Sequence, residues 1–251
     1  MSSFFQTLFT QIPVLLLFLT IGHTNDIVSP QTQESGMINR ADLAFFFDFD
    51  GVLVDSTAIK TDAYRSLFAP YGPEVVSRIV RYHQQHGGIS RVDKIRYAHE
   101  TILGKPYSID DIERDTKTYS SLVLEKVVEA DWVAGAEAFL RAYHEDYPVF
   151  VISGTPETEL AEVIRRRDMT HYFKEILGSP TRKPEHIRFL LQKYHLKTAN
   201  CIFIGDALTD YDAARETGLD FIGIRAEVEF PAGTMVLSDC STLEQAVNRL
   251  N

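Results

Sequence analysis

The chain contains 251 residues, of which 45% are hydrophobic and 24% charged, and its formal net charge is −10. These proportions exclude a disordered, collagen-like or low-complexity chain. The acidic balance argues against nucleic acid or an anionic membrane surface as the main partner. The two cysteines, Cys201 and Cys240, belong to no Cys-x-x-Cys motif or Cys/His cluster, so the sequence does not favour a zinc site.

The first forty residues differ in character from the rest of the chain. An apolar run at 12–21 precedes a polar, linker-like stretch at 23–36, and no Lys or Arg lies before the run. Three interpretations stay open for residues 1–40: a signal or anchor, a start codon assigned too early with the working protein beginning at Met37, or an apolar extension packed on the domain. We expect a cytoplasmic protein, with export or membrane tethering as the alternative.

A buried strand opens the globular part of the chain. The apolar run from Leu43 to Phe47 ends in Asp48-Phe49-Asp50-Gly51, which is typical of a strand covered on both faces of a parallel sheet. The next segment, 57–130, has helical periodicity and no predicted strand. Its predicted helices cover about 57–69, 73–86, 90–103 and 109–129.

Strands and helices alternate after Trp132. This alternation predicts right-handed βαβ units and an α/β fold with a doubly wound parallel sheet. The helical block is therefore an insert, with a core domain at 41–56 and 133–251 and an α-helical cap domain at 57–132. The predicted strands are 147–152, 175–178, 201–204, 221–224 and 235–237, and the helices are 135–145, 156–167, 184–195, 209–217 and 241–250.

Polar side chains follow several of the predicted strands. Ligands bind beyond the carboxyl ends of the strands in open parallel sheets, so these side chains are expected to converge on one edge. Clustered carboxylates repel one another, and an all-oxygen ligand set suits Mg²⁺. A lysine and a hydroxyl beside the metal would suit a phosphoryl group, and one carboxylate could attack phosphorus. The converging residues are Asp48, Asp50, Ser153, Lys183, Asp206 and Asp210.

These residues stand in a recognisable order. The segment 48–56, Asp-Phe-Asp-Gly-Val-Leu-Val-Asp-Ser, resembles the first signature of the haloacid dehalogenase superfamily. Ser153, Lys183 and the segment 205–210 resemble its second, third and fourth motifs. The resemblance covers about residues 41–251 and extends to the branch of phosphoglycolate phosphatases and β-phosphoglucomutases, which carry a helical cap after the first motif.

The resemblance implies roles for the four aspartates. Asp48 would be the nucleophile and a Mg²⁺ ligand. Asp50 would be the general acid and then the base that activates water, and its backbone carbonyl would also contact Mg²⁺. Asp206 would be the acidic metal ligand of the fourth motif, and Asp210 would hold the metal directly or through water.

The resemblance also implies residues that bind the substrate. Ser153 and Lys183 would bind the phosphoryl oxygens, and Gly154 counts among the substrate-binding positions. The stretch 88–91, Gly-Ile-Ser-Arg, is similar to the mutase cap loop, in which the arginine grips the distal anionic end of the substrate. Arg91 and then Lys94 are therefore candidates for binding the non-transferred part of the substrate.

Departures from family patterns narrow the expected reaction. Asp50 argues against a dehalogenase, which lacks the second aspartate of the first motif, and against a phosphonatase, which has alanine there. Gly205-Asp206 replaces the Glu-Asp pair of the mutase branch. We expect a Mg²⁺-dependent phosphatase of a small phosphorylated metabolite, active as a monomer or homodimer. A phosphosugar mutase and a non-catalytic phosphate-binding module are the alternatives.

Overall fold

The computed structural model describes residues 42–250. The three interpretations of residues 1–40 lie outside the described residues. Among residues 42–250, no helix combines the length and apolar character needed to cross a bilayer.

A six-stranded parallel sheet forms the centre of the fold, and its order is β3-β2-β1-β4-β5-β6. The chain runs outward from β1 through β2 to β3 and then returns to place β4 on the other side of β1. The sheet therefore reverses its order between β1 and β4, the position at which parallel sheets bind ligands. The strands are β1 Ala44–Phe47, β2 Val149–Pro156, β3 Glu175–Ser179, β4 Cys201–Gly205, β5 Asp220–Ile224 and β6 Met235–Leu237.

Helices cover the sheet and fill the insert. Four of them, α1–α4, lie between β1 and β2 along the chain, as the helical periodicity of residues 57–130 predicts. The division into a core and a cap domain stays a prediction. The helices are α1 Thr57–Phe68, α2 Pro73–Gln85, α3 Arg91–Tyr97, α4 Ile109–Glu129, α5 Ala136–Tyr143, α6 Glu157–Arg166, α7 Lys183–Lys193, α8 Leu208–Thr217 and α9 Leu243–Val247.

Alternate residues of β1 face opposite sides of the sheet and enter two apolar clusters. Phe45 packs edge-on against Phe139 of α5, and this cluster continues into the insert through residues such as Val123. Phe46 faces the other side, where it contacts Phe150 and joins a cluster that includes Ile187 of α7. Every residue of β1 and β4 is buried. The α/β doubly wound fold is confirmed, and the two covered faces explain the unbroken apolar runs in these strands.

Candidate active site

Three carboxylates meet at the carboxyl ends of the two central strands. Asp48 follows β1, Asp206 follows β4, and Asp210 lies in the first turn of α8. One carboxylate oxygen from each lies within 4.8 Å of the other two. Gly51 permits this approach: its φ is +78°, and a Cβ there would lie 2.3 Å from Asp206 Oδ2. The local backbone thus places an all-oxygen ligand set at the predicted edge.

Lys183 lies between two of these carboxylates. Its Nζ is 3.1 Å from Asp48 Oδ1 and donates a hydrogen bond to Asp210 Oδ1 at 2.5 Å. Burial alone would lower the pKa of Lys183, but Asp210 and Asp48 hold this pKa above its ordinary value. Lys183 is therefore a fixed positive charge beside Asp48. Asp210 is fully buried and also accepts a hydrogen bond from the Ala207 amide at 3.1 Å.

The site carries more negative charge than its lysine can balance. Burial, together with Asp210 and Asp50, raises the pKa of Asp48 to about 7, although Lys183 opposes the shift. Burial and then Asp48 raise the pKa of Asp206 well above its ordinary value. A divalent cation would relieve this repulsion, and carboxylate oxygens are the ligands that Mg²⁺ prefers. The donor set therefore fits Mg²⁺.

Asp50 lies in a separate hydrogen-bond network. Ser56 Oγ donates to Asp50 Oδ1 at 2.6 Å, and Thr155 Oγ1 donates to Asp50 Oδ2 at 3.0 Å. Lys60 Nζ, from α1, donates to Asp50 Oδ2 and to Thr155 Oγ1. Burial would raise the pKa of Asp50, but Lys60 and the hydroxyl donors lower it below its ordinary value. Asp50 is therefore held as a carboxylate.

Lys60 lies outside the motifs and was not among the site residues predicted from the sequence. It lies one helical turn beyond Ser56, which places it on the side of α1 that faces the first motif. This spacing of four residues from Ser56 is the sequence feature that could have indicated Lys60 as a site residue. A lysine on a helix is usually solvated, however, and only the position of α1 beside the sheet edge brings Lys60 to Asp50.

Ser153 and Gly154 lie inside the extended end of β2. Strand β2 continues to Pro156, which is the N-cap of α6, so Ser153 does not cap that helix. Ser153 Oγ accepts a hydrogen bond from the Thr155 amide at 3.1 Å and lies 3.4 Å from Asp50 Oδ2. A Cβ on Gly154 would lie 2.6 Å from the carbonyl oxygen of Gly88, so glycine allows the insert loop to lie directly against β2.

The insert closes one side of a cavity of about 900 Å³ above the carboxylates. Asp48, Asp50 and Asp206 line it from the sheet, and Lys60 and Lys94 line it from the insert. Its volume lies within the range of small-molecule sites. Thr209 Oγ1 donates to the Gly87 carbonyl at 2.8 Å, which ties the insert loop to the start of α8.

Lys94 is a buried cation without an ion-pair partner among the described carboxylates. Its Nζ lies 3.0 Å from His83 Nδ1 and 3.4 Å from the His83 carbonyl oxygen. Burial, and then Lys60, lower the pKa of Lys94 to about 7. Burial and then Lys94 lower the pKa of His83 to about 2, so His83 is neutral. An anion in the cavity would stabilise the charged form of Lys94.

Arg91 also lines the cavity, but its charge is already balanced. Its two terminal nitrogens donate to Glu159 of α6, at 2.8 Å and 2.5 Å, and one of them also donates to Ser120 at 2.6 Å. The guanidinium lies 4.3 Å from the centre of the Tyr119 ring. The structure therefore places Arg91 at the cavity wall without leaving it a free positive charge.

A comparison with models of protein families shows which family the chain belongs to. The model of the haloacid dehalogenase-like hydrolases matches residues 45–224, which is more than two thirds of the chain. The chain belongs to the haloacid dehalogenase-like hydrolases. The matched region of this hydrolase contains every strand that carries a site residue, together with the insert, and the family predicted from the motifs is confirmed.

Similar proteins agree with this membership. The 6-phosphogluconate phosphatase of Escherichia coli is 26% identical over 187 residues, which are 70% of this hydrolase and 80% of that protein. β-Phosphoglucomutase from Clostridium difficile superposes with a TM-score of 0.69 at 19% identity, covering 83% of this hydrolase and 97% of the mutase. A magnesium-bound hydrolase from Bacillus subtilis superposes with a TM-score of 0.64 at 16% identity, covering 83% and 100% of the two chains. At these identities, the two structural likenesses bear on the fold alone.

Proposed function

We propose that this hydrolase is a Mg²⁺-dependent phosphatase that cleaves a small phosphomonoester through an aspartyl-phosphate on Asp48. The observation that carries the proposal is the placement of two unlike aspartates at one cavity. Asp48 lies in the cluster of three carboxylates beside Lys183, whereas Asp50 lies in a network of hydroxyls with Lys60. Such a difference in environment separates a nucleophile from an acid–base group.

The chain's own residues supply both chemical steps. Asp48 attacks phosphorus, the bond to the leaving oxygen breaks, and Asp50 gives that oxygen a proton. Because Asp50 rests as a carboxylate, this proton comes from the Lys60 ammonium, which donates a hydrogen bond to Asp50, and Asp50 relays it to the leaving oxygen. Asp50 then takes a proton from a water molecule that attacks the aspartyl-phosphate and returns this proton to Lys60. This second step releases phosphate and restores the Asp48 carboxylate.

Positive charge must balance the phosphoryl oxygens during both steps. Lys183 lies 3.1 Å from Asp48 and would bind one of these oxygens, with Ser153 as a hydroxyl donor. Asp48, Asp206 and Asp210, with the backbone carbonyl of Asp50, would hold Mg²⁺. When bound, Mg²⁺ supplies charge neutralisation at the phosphoryl group.

The part of the substrate that is not transferred would contact the insert. Lys94 is a buried cation of the insert and lacks an ion-pair partner among the described carboxylates. An anionic or strongly polar group on the substrate would therefore serve as its partner. The Escherichia coli relative is a phosphatase of 6-phosphogluconate, a sugar acid phosphate. A sugar phosphate or a short phosphorylated acid is therefore the substrate class that we propose.

The test is phosphate release from a panel of phosphomonoesters, with Mg²⁺ or with EDTA. We expect release with Mg²⁺ and its loss in the Asp48→Asn variant. Asp55→Asn is a matched control, because Asp55 is an exposed acid of the same motif that lines the cavity outside the carboxylate cluster. Absence of release from every ester by the folded, Mg²⁺-loaded protein would refute the phosphatase proposal. Interconversion of a phosphosugar without release would favour a mutase.

A further inference from the structure

Arg91 and Glu159 form an ion pair between the insert and the sheet region. Arg91 is the first residue of α3 and Glu159 lies in the first turn of α6, so the pair joins positions 68 residues apart. The side chains are 4% and 10% exposed, and both terminal guanidinium nitrogens contact the carboxylate. A two-point contact of this kind fixes the position of Arg91 as well as its charge.

The pair changes the charge that the insert presents to a substrate. Arg91 and Lys94 both line the cavity from α3, but Glu159 balances the charge of Arg91. Within the described residues, Lys94 has no such carboxylate partner. The part of the substrate that is not transferred thus meets about one unbalanced positive charge on α3, that of Lys94, instead of two. The negative charge of a second phosphate would therefore be only partly balanced there.

The size of the cavity does not discriminate between substrates with one phosphate and substrates with two. The cavity has a volume of about 900 Å³, near the upper end of the range for small-molecule sites, so it is large enough for a sugar that carries two phosphates. Charge complementarity is then the property that separates monophosphates from bisphosphates. A buried charge without a partner opposes binding more strongly than a poorly packed apolar contact does.

We propose that Glu159 is a specificity-determining residue, which neutralises Arg91 and thereby excludes substrates with a second phosphate on their non-transferred part. The proposal rests on the proposed phosphatase function for its kinetic test, and it has a binding test that does not require turnover. Glu159 acts through Arg91 and is a positioning residue in this sense.

The kinetic experiment compares fructose 6-phosphate with fructose 1,6-bisphosphate. We expect the wild type to favour the monophosphate. Glu159→Gln keeps the shape of the side chain and removes its charge, so kcat/KM for the bisphosphate relative to the monophosphate should rise at least about tenfold. The double variant Arg91→Gln/Glu159→Gln removes both charges and should return the ratio to the wild-type value.

A surface variant of the same helix controls for the loss of one acid. Glu162 also lies on α6 and pairs with Arg165 at the surface, so Glu162→Gln should leave the substrate ratio unchanged. A pair that only fastened the insert to the sheet region would behave differently. Loss of such a pair would lower kcat/KM for both substrates by the same factor and leave the substrate ratio unchanged in every variant. That result would overturn the proposal.

A binding measurement separates this proposal from the phosphatase proposal. In an Asp48→Asn background, titration calorimetry with fructose 1,6-bisphosphate should show about tenfold tighter binding when Glu159→Gln is added. The gain should vanish when Arg91→Gln is also present. Equal affinity of all three proteins, each folded by circular dichroism, would refute the role of Glu159. Absence of phosphate release by the wild type would instead refute the phosphatase proposal alone.

Discussion

Substitution of Lys60 by methionine tests the proposed state of Asp50. The Lys60 and Asp50 side chains are 15% and 14% exposed, so water screens their contact only partly. Two unit charges 4 Å apart at an effective dielectric constant of about 20 interact by about 4 kcal/mol. A complete loss of that stabilisation in the transition state would lower the rate almost a thousandfold, since each 1.36 kcal/mol is tenfold.

We expect Lys60→Met to lose about two thirds of this stabilisation, or about 2.7 kcal/mol. Ser56 and Thr155 still donate to the two oxygens of Asp50 and keep it in place, so kcat should fall about 100-fold, as it does when acid–base catalysis is impaired. Without Lys60, burial raises the pKa of Asp50, and a higher pH is then needed to ionise it. The pH–kcat profile of the variant should therefore move toward alkaline pH.

The assay is steady-state phosphate release over a range of pH, with Arg65→Met as the control. Arg65 lies on the same helix and lines the same cavity, but it is 52% exposed and pairs with Asp62 at the surface. The control should keep the wild-type kcat and profile. A Lys60→Met variant with an unchanged kcat and an unchanged profile would refute the argument that Lys60 keeps Asp50 ionised.

Two further predictions concern the insert and the metal. Lys94→Met should raise KM about tenfold for a phosphorylated acid and leave kcat nearly unchanged. Because burial and Lys60 bring the pKa of Lys94 to about 7, Lys94 of the free enzyme loses its charge as the pH rises. For a substrate that carries an acid group, the KM of the wild type should therefore increase above about pH 7, whereas the KM of Lys94→Met should not change with pH. A parallel rise of KM in the variant would contradict this. Gly51→Ala should weaken Mg²⁺ binding at least about tenfold in calorimetry, since its Cβ would meet Asp206, whereas Gly72→Ala, at φ +88° with no atom within 4 Å, should bind Mg²⁺ normally. Equal Mg²⁺ affinity of the two glycine variants would contradict this account.

The order of the elements and the position of the carboxylates follow from local sequence signals. Apolar runs that end in aspartate predict buried strands, and the edge rule for parallel sheets then places Asp48 beside Asp206. The structure lengthens β2 beyond the apolar run, to Pro156, because Ser153 and Thr155 continue the extended backbone toward the site.

Contacts between the insert and the sheet region could not be predicted in the same way. Lys60 reaches Asp50, and Arg91 reaches Glu159, only because the insert helices pack against the sheet edge in one particular arrangement. Helical periodicity shows which side of a helix is polar, but it does not say which distant element that side meets. The resemblance of residues 88–91 to the mutase cap loop made Arg91 a candidate for binding the substrate, but nothing in the sequence indicated that Glu159 balances its charge.

The most direct test of the central claim is detection of the covalent intermediate. The protein would be mixed with a phosphomonoester that it hydrolyses in Mg²⁺, quenched in acid during turnover, digested and analysed by mass spectrometry. The proposed mechanism predicts one phosphoryl group on the peptide that contains Asp48, located at Asp48 and absent from the Asp48→Asn variant. A protein that releases phosphate at full rate while Asp48 stays unmodified at every quench time, or a modification located on another residue, would contradict the account.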